Sequence, residues 1–153
     1  MTMPRPLTRT PAARSTLSRS ADDLLGSARR SLTEASIAAT AAERYAAAHL
    51  AALRAAAAVL ASRGRPSSRR SRVLSVWVVL PQVAPELGEW SEFFAAGARK
   101  RAAAEAGLDC VTHREADDLV RAADTFLVRV CEVLGVPHQA ALVAMSSVLL
   151  HVG

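Results

Sequence analysis

Apolar side chains recur every three to four residues along most of this chain, which is the spacing of one face of an α-helix. The longest such stretch, residues 40–63, consists mainly of Ala, Leu and Arg, which are strong helix formers. Thr40 and Glu43 have the spacing of a capping box, and Gly64 is a normal helix stop. The predicted apolar seam of this helix consists of Leu50, Leu53, Ala57 and Leu60.

Three further stretches have the same period. A first helix is predicted over residues 21–36, with Ser20 as its N-cap. Another is predicted over residues 85–106, where proline occupies the first position and glycine follows the last. The last main helix is predicted over residues 112–134, where a second capping-box pattern precedes a regular apolar stripe.

Residues 73–80, VLSVWVVL, have the β-branched composition of a strand. No other segment offers a partner strand, and a lone strand cannot satisfy its backbone hydrogen bonds. We therefore predict a short buried helix that ends near Pro81, with Trp77 as a core anchor. The pattern as a whole predicts an all-α fold, an antiparallel up-and-down bundle of four main helices plus one or two short helices.

Composition agrees with one helical domain, because alanine inflates the 51% hydrophobic fraction while only 4% is aromatic. The predicted organisation is a disordered basic N-terminal arm at 1–19, a helical bundle at 20–135 and an apolar tail at 136–153 that could form a short helix. No segment reaches the roughly 18–20 apolar residues of a membrane span. No apolar region follows the N-terminal arginines, so we expect a cytoplasmic protein without a membrane partner.

The net charge of +5 is unevenly distributed, with a balance of +9 over residues 1–72 and −4 over residues 73–153. Blocks of like charge often meet partners of opposite charge, and two such halves could also bind each other. The loop RGRPSSRRSR at 63–72 concentrates the positive charge, and guanidinium groups suit phosphate. Its candidate RNA- or phosphate-binding residues are Arg63, Arg65, Arg69, Arg70 and Arg72. The alternative is a solvated loop without a ligand.

The sequence contains no motif for a nucleotide cofactor or a metal. His113 and Asp117 share a helix face, but two ligands do not make a metal site. We therefore predict no cofactor and no metal.

One spacing could support catalysis, Arg44 followed five residues later by His49. A histidine can act as general acid or base in RNA cleavage while an arginine stabilises the phosphorane charge. The two positions lie about 140° apart around a helix, so they would meet only across a bend or with a second subunit. The alternative is structural, with Arg44 in solvent and His49 hydrogen-bonded beside the core.

Two stretches, AERYAAAHLAALRAAAAVL at 42–60 and PELGEWSEFFAAGARKRAAAEAGL…THREADDLVRAADTFL at 85–127, resemble a small actinobacterial branch of the HEPN superfamily. The most distinctive parts are WSEFF at 90–94 and READD at 114–118. The resemblance covers approximately residues 20–135. It implies an all-α bundle of four or five helices that often dimerises.

Many proteins of that superfamily are metal-independent RNases, and others are inactive modules that bind RNA or a nucleotide. Their hallmark is an arginine, four to six residues and then a histidine, which Arg44 and His49 match. Tyr45 stands where the superfamily commonly has a polar residue. We therefore expect a domain that binds RNA or a nucleotide, as a homodimer or with a partner protein, and that is a metal-independent RNase if this pair is catalytic. The alternative is an inactive docking or dimerisation module.

Overall fold

The computed structural model describes residues 17–64 and 75–138. Over these two ranges the chain forms four long helices and one short helix, and no strand, which confirms the predicted all-α bundle. The helices are α1 (Arg19–Ile37), α2 (Ala41–Arg63), α3 (Val76–Val83), α4 (Gly88–Glu105) and α5 (His113–Leu134), with a 3₁₀ turn at Pro85–Leu87. The arm before Leu17 and the tail beyond His138 lie outside the described residues, so the domain boundaries stay predictions.

α2 is the central helix, and it packs against α1, α3, α4 and α5. α1 and α2 form an antiparallel pair, in which the Arg54 guanidinium donates a 2.6 Å hydrogen bond to the Ser31 hydroxyl. α4 is antiparallel to α2, whereas α5 runs in the same direction as α2. α4 and α5 meet mainly through side chains, such as the rings of Trp90 and Phe126, whose centroids are 5.5 Å apart.

This topology gives the bundle two ends. We call one the Arg63 end, where α1 begins, α2 ends and α3 connects to α4. There Arg63 pairs with Glu86 at 2.7 Å and donates to the Val83 carbonyl at 3.0 Å. We call the other the Thr40 end, because it contains the N-caps of α2 and α5, which are Thr40 and Thr112.

The first helix begins two residues earlier than the sequence pattern indicated. The N-cap is Ser18 and not Ser20, because the Ser18 hydroxyl accepts a 3.2 Å hydrogen bond from the Ala21 backbone N–H. Leu17, which precedes the cap, is half-buried against the core. Both serines can cap a helix, and the packing of Leu17 favours the earlier one.

The two predicted capping boxes differ. At α5 the box is complete, since the Thr112 hydroxyl accepts from the Glu115 N–H at 3.1 Å and the Glu115 carboxylate accepts from the Thr112 N–H at 2.8 Å. At α2 only the hydroxyl half forms, with the Thr40 hydroxyl accepting from the Glu43 N–H at 3.1 Å. The α5 terminus is therefore the better capped of the two.

The short helix continues past the position where the sequence predicted its end. Pro81 lies inside α3, and two further residues follow it in helical conformation. The proline removes only the hydrogen bond that the Trp77 carbonyl would accept, and it does so in the last turn. Trp77 itself is buried, as predicted. Residues 73 and 74 of the predicted segment lie outside the described residues.

The core combines an alanine-lined helix with an aromatic cluster. In α2 the predicted seam is buried only at Leu60. Leu50, Leu53 and Ala57 are half-buried, while the alanines between the first two face the neighbouring helices. Small side chains let the surrounding backbones approach α2 from several sides. The fully buried alanines of α2 are Ala48, Ala52, Ala55, Ala56 and Ala58. The cluster centres on Phe94, whose ring lies 5.1 Å from those of both Trp77 and Phe126.

The sequence predicted no segment long and apolar enough to span a membrane, but by length and composition alone α2 could cross one. However, 56% of its most apolar window is buried inside the bundle, as is usual for the core helix of a soluble protein. The described part of the chain therefore has the form of a soluble helical domain, and the cytoplasmic location stays a prediction.

Candidate functional site

His49 lies in the core, with 1% of its surface exposed. Its Nε2 is 2.8 Å from the Phe94 carbonyl oxygen. A carbonyl can only accept, so Nε2 carries the hydrogen and Nδ1 carries the lone pair. Nδ1 is buried without a hydrogen-bond partner among the described residues. Burial lowers the pKa of His49 from its usual 6.5, although the bond to Phe94 opposes this effect. The ring is therefore neutral, and the predicted hydrogen-bonded position beside the core is confirmed.

Arg44 is held by two partners at the Thr40 end. Its guanidinium forms an ion pair with Asp117 of α5 and donates a 3.3 Å hydrogen bond to the Ala38 carbonyl. About a quarter (26%) of its side chain is exposed. Arg44 therefore joins α2 to α5 and to the α1–α2 connection, whereas the structural alternative had placed it in solvent.

The structure does not join Arg44 and His49 through a shared partner among the described residues. One pairs with a carboxylate at the surface, and the other donates to a backbone carbonyl inside the core. With its ring enclosed, His49 offers no atom to a substrate phosphate in this arrangement. A catalytic role for the pair would need the His49 ring to be accessible to substrate, and it stays a prediction.

Close packing of α4 on α2 depends on Gly97. A Cβ at this position would lie 3.0 Å from the Tyr45 hydroxyl oxygen and 3.5 Å from His49 Cδ2. Helical periodicity alone does not show which side chains would press against Gly97. Only the three-dimensional register of α2 and α4 identifies this contact.

The predicted basic loop is described only at its first two residues, Arg63 and Gly64. Arg63 is engaged with Glu86 and the Val83 carbonyl, so it contributes to the connection between α2 and α3. The other four candidates, Arg65, Arg69, Arg70 and Arg72, lie outside the described residues. The loop leaves the described bundle at Gly64, and the N-terminal arm joins it at Leu17, so both attach at the Arg63 end.

A small pocket that sequence reasoning missed lies between α4 and α5, with α2 beneath it. We call it the Phe93 pocket; its volume is about 200 Å³. The Phe93 side chain is 51% exposed beside it, whereas the neighbouring Phe94 is fully buried. Helical periodicity alone does not show that the Phe93 ring faces solvent. The pocket is lined by Tyr45, Phe93, Lys100, Glu115, Asp118 and Leu119.

An ion pair between Lys100 and Glu115 closes one side of the Phe93 pocket. The Lys100 ammonium, followed by the Thr112 backbone N–H, lowers the pKa of Glu115 to about 2. The same pair raises the pKa of Lys100. Burial raises the pKa of Tyr45, which is 7% exposed and whose hydroxyl stays protonated at neutral pH. The wall of the Phe93 pocket therefore offers one neutral hydrogen-bond donor, the Tyr45 hydroxyl, and one ion pair, Lys100 with Glu115.

A larger cleft of about 860 Å³ opens at the Thr40 end. Its lining includes the carboxylates of Glu43, Glu105 and Asp109 together with the amino termini of α2 and α5. Carboxylates attract cations and helix amino termini attract anions, so the two contributions offset each other. Over the two described ranges, no three His, Cys, Asp or Glu side chains are grouped as metal ligands.

A family model described as SAV_6107-like HEPN matches residues 35–131, well over half of the chain. The match lies inside the segment that resembled the HEPN superfamily in the sequence. No curated protein and no solved structure matches this chain.

Proposed function

The chain belongs to the SAV_6107-like HEPN family, and on this premise we propose that it is a domain that binds single-stranded RNA through backbone phosphates at the Arg63 end. Proteins of the HEPN type are often RNases or act on nucleotides. We propose binding without cleavage because the enclosed His49 ring offers no atom to a substrate phosphate. The expected homodimer or protein partner stays a prediction.

The topology of the bundle carries this proposal. Residues 1–16 and 65–72 attach to the described helices at the same end, although α1 and α2 separate them in sequence. Together these two segments hold seven arginines and no acidic residue. Guanidinium groups bind phosphate in a forked geometry, and their release of counterions from the RNA supplies affinity without sequence preference. The arginines concerned are Arg5, Arg9, Arg14, Arg65, Arg69, Arg70 and Arg72.

A pair of matched double variants tests the location of this surface. Arg69→Ala with Arg70→Ala removes two charges at the Arg63 end. Arg30→Ala with Arg99→Ala removes two exposed arginines from α1 and α4. We expect the loop variant to lower the affinity for a fluorescent single-stranded RNA several-fold, and to reduce the slope of log K against log salt by about 1.4. We expect the control variant to leave both close to wild type. Equal losses in the two variants would contradict the assignment of this surface.

RNA cleavage is tested separately with EDTA present. His49→Gln keeps an N–H that can donate to the Phe94 carbonyl, and therefore disturbs the core less than alanine would. We expect neither the wild type nor this variant to cleave a mixed RNA pool, while both bind it. Metal-independent cleavage that is lost in both His49→Gln and Arg44→Gln would instead establish a nuclease that uses this pair. A stable complex with another protein, without salt-sensitive RNA binding, would favour the docking alternative.

A further inference from the structure

Phe93 has an aromatic ring that is half exposed in an otherwise buried cluster. It packs edge-on against Phe94, with the two centroids 5.0 Å apart, and 51% of its surface remains accessible. Burial of a phenylalanine side chain stabilises a folded protein, so this exposure is the less stable choice for the free protein. An accessible ring face of this kind is the surface on which unpaired bases stack.

Polar groups that match the edge of a base lie beside this ring. Tyr45 is more than nine-tenths buried and lines the pocket, and its hydroxyl can donate to a ring nitrogen or a carbonyl oxygen. Asp118 lies at the rim, where its carboxylate can accept from an exocyclic amino group. The pocket therefore combines a stacking face with one donor and one acceptor.

The size and charge of the Phe93 pocket select the base over the phosphate. Its 200 Å³ is smaller than the roughly 300 Å³ at which pockets for whole drug-sized molecules begin, so it accommodates one planar ring system. Lys100 is paired with Glu115, and Asp118 is paired with Arg121, so no cation among its described lining residues is left to hold a phosphate inside it. Phosphates on either side could instead contact exposed cations of α5.

Such cations flank the pocket. Arg114 and Arg121 are both exposed, and they lie four residues before and three residues after Asp118 on α5. Positions with these spacings share one face of a helix. Arg121 already reaches the rim, since it donates to the Asp118 carboxylate at 2.5 Å. A base in the pocket would thus have a guanidinium near the phosphate on each side.

We infer that the Phe93 pocket holds one unstacked base of the bound RNA, with its ring on Phe93 and its edge at Tyr45 and Asp118. This inference rests on the proposed RNA binding, and it adds that the protein contacts bases as well as phosphates. It also predicts that the bound RNA reaches from the Arg63 end to the Phe93 pocket, which lies beside the amino terminus of α5.

The test uses the full chain and two fluorescent single-stranded RNAs of equal length, one intact and one with abasic residues at its central positions. Loss of one stacked base lowers affinity by about 5- to 150-fold. We therefore expect Phe93→Ala to weaken binding of the intact RNA within that range, and to change binding of the abasic RNA little. Phe93→Tyr should retain the affinity, because the ring face remains. Ile37→Ala, which removes another exposed apolar side chain, is the matched control and should have no effect.

The outcomes separate this inference from the proposed function. If the wild type binds RNA with salt sensitivity but Phe93→Ala binds both RNAs as wild type does, the pocket is not a base site and the phosphate surface stands. If the wild type binds neither RNA, both proposals are wrong. A third outcome would show that the pocket holds a cation. In that case an arginine-rich peptide binds the wild type, Phe93→Ala abolishes that binding, and the abasic RNA binds as well as the intact RNA. This result would overturn the base assignment.

Discussion

At the scale of single residues, the buried ring of His49 makes stability depend on pH. Burial lowers its pKa in the folded state below the usual 6.5, so the unfolded chain binds the proton more readily. The contribution of His49 is complete above about pH 6.5 and declines as the pH falls through that value towards the folded-state pKa. We expect the free energy of unfolding in urea to decrease between pH 7.5 and 5.5. Arg101, which lowers this pKa, and Glu105, which raises it, modulate the effect.

The matched variant for this prediction is His49→Gln, which keeps an N–H donor for Phe94 but has no titrating group. It should lose much less stability than the wild type over the same pH interval, whatever its stability at pH 7.5. If the free energy of unfolding fell equally with pH in the two proteins, His49 would not be the group responsible for the pH dependence.

Replacing Gly97 by alanine should change the stability of the protein in the opposite direction from the same replacement at an ordinary helix glycine. Alanine in a helix interior is normally favoured over glycine by about 1 kcal/mol. At Gly97 a Cβ would press on the Tyr45 hydroxyl at 3.0 Å, and overpacking of this kind costs about 1 to 3 kcal/mol. We expect Gly97→Ala to destabilise the protein by about 1 kcal/mol in urea unfolding.

Two variants check that reasoning. Tyr45→Phe removes the hydroxyl, so Gly97→Ala should be neutral or stabilising in its presence. Gly26→Ala in α1 places a Cβ 3.5 Å from the Arg30 guanidinium, an ordinary contact, and should raise stability through helix propensity. A stabilising Gly97→Ala in the wild-type background would contradict the close approach of α2 and α4.

At the scale of helices, the amino terminus of α5 combines a full capping box with an ion pair to α4. Thr112→Ala removes the hydroxyl that accepts from the Glu115 N–H and should cost about 1 kcal/mol. The pKa of Glu115 is lowered to about 2 by Lys100 and by the cap. Its contribution is present above the unfolded-state pKa of about 4.5 and is lost as the pH falls towards 2.

Glu115→Gln tests the acid part of this prediction. Its free energy of unfolding should decline less steeply than that of the wild type between pH 4.5 and 2, because the titrating group is gone. A decline as steep as in the wild type would assign the acid sensitivity to other carboxylates.

Helix type and number could be predicted from this sequence because the four long segments have strong periodicity and three of them end at a glycine. The α5 stripe of Leu119, Phe126 and Val130 is buried as its spacing requires. The α2 seam was predicted only in part because an alanine-rich helix surrounded by neighbours has no single apolar face. The Phe93 pocket was missed for a related reason, since a ring beside an apolar stripe can turn towards core or solvent depending on the neighbouring helix.

At the scale of the whole molecule, the antiparallel arrangement attaches two arginine-rich segments at one end of the bundle. From sequence, the loop at 63–72 could be recognised by composition, but its shared location with the arm depends on the directions of α1 and α2. The catalytic spacing was also visible in the sequence. The sequence could not show that Arg44 forms an ion pair at the surface while His49 forms a hydrogen bond in the core, because both depend on how α4 and α5 pack on α2.

The central claim is that this HEPN domain binds RNA through phosphate contacts, and the salt dependence of binding tests it most directly. The affinity of the purified full chain for single-stranded RNA should be measured from low to physiological salt. Each phosphate contact contributes about −0.7 to the slope of log K against log salt, so three or more contacts predict a slope of about −2 or steeper. A slope near zero, or no binding at low salt, would contradict the account.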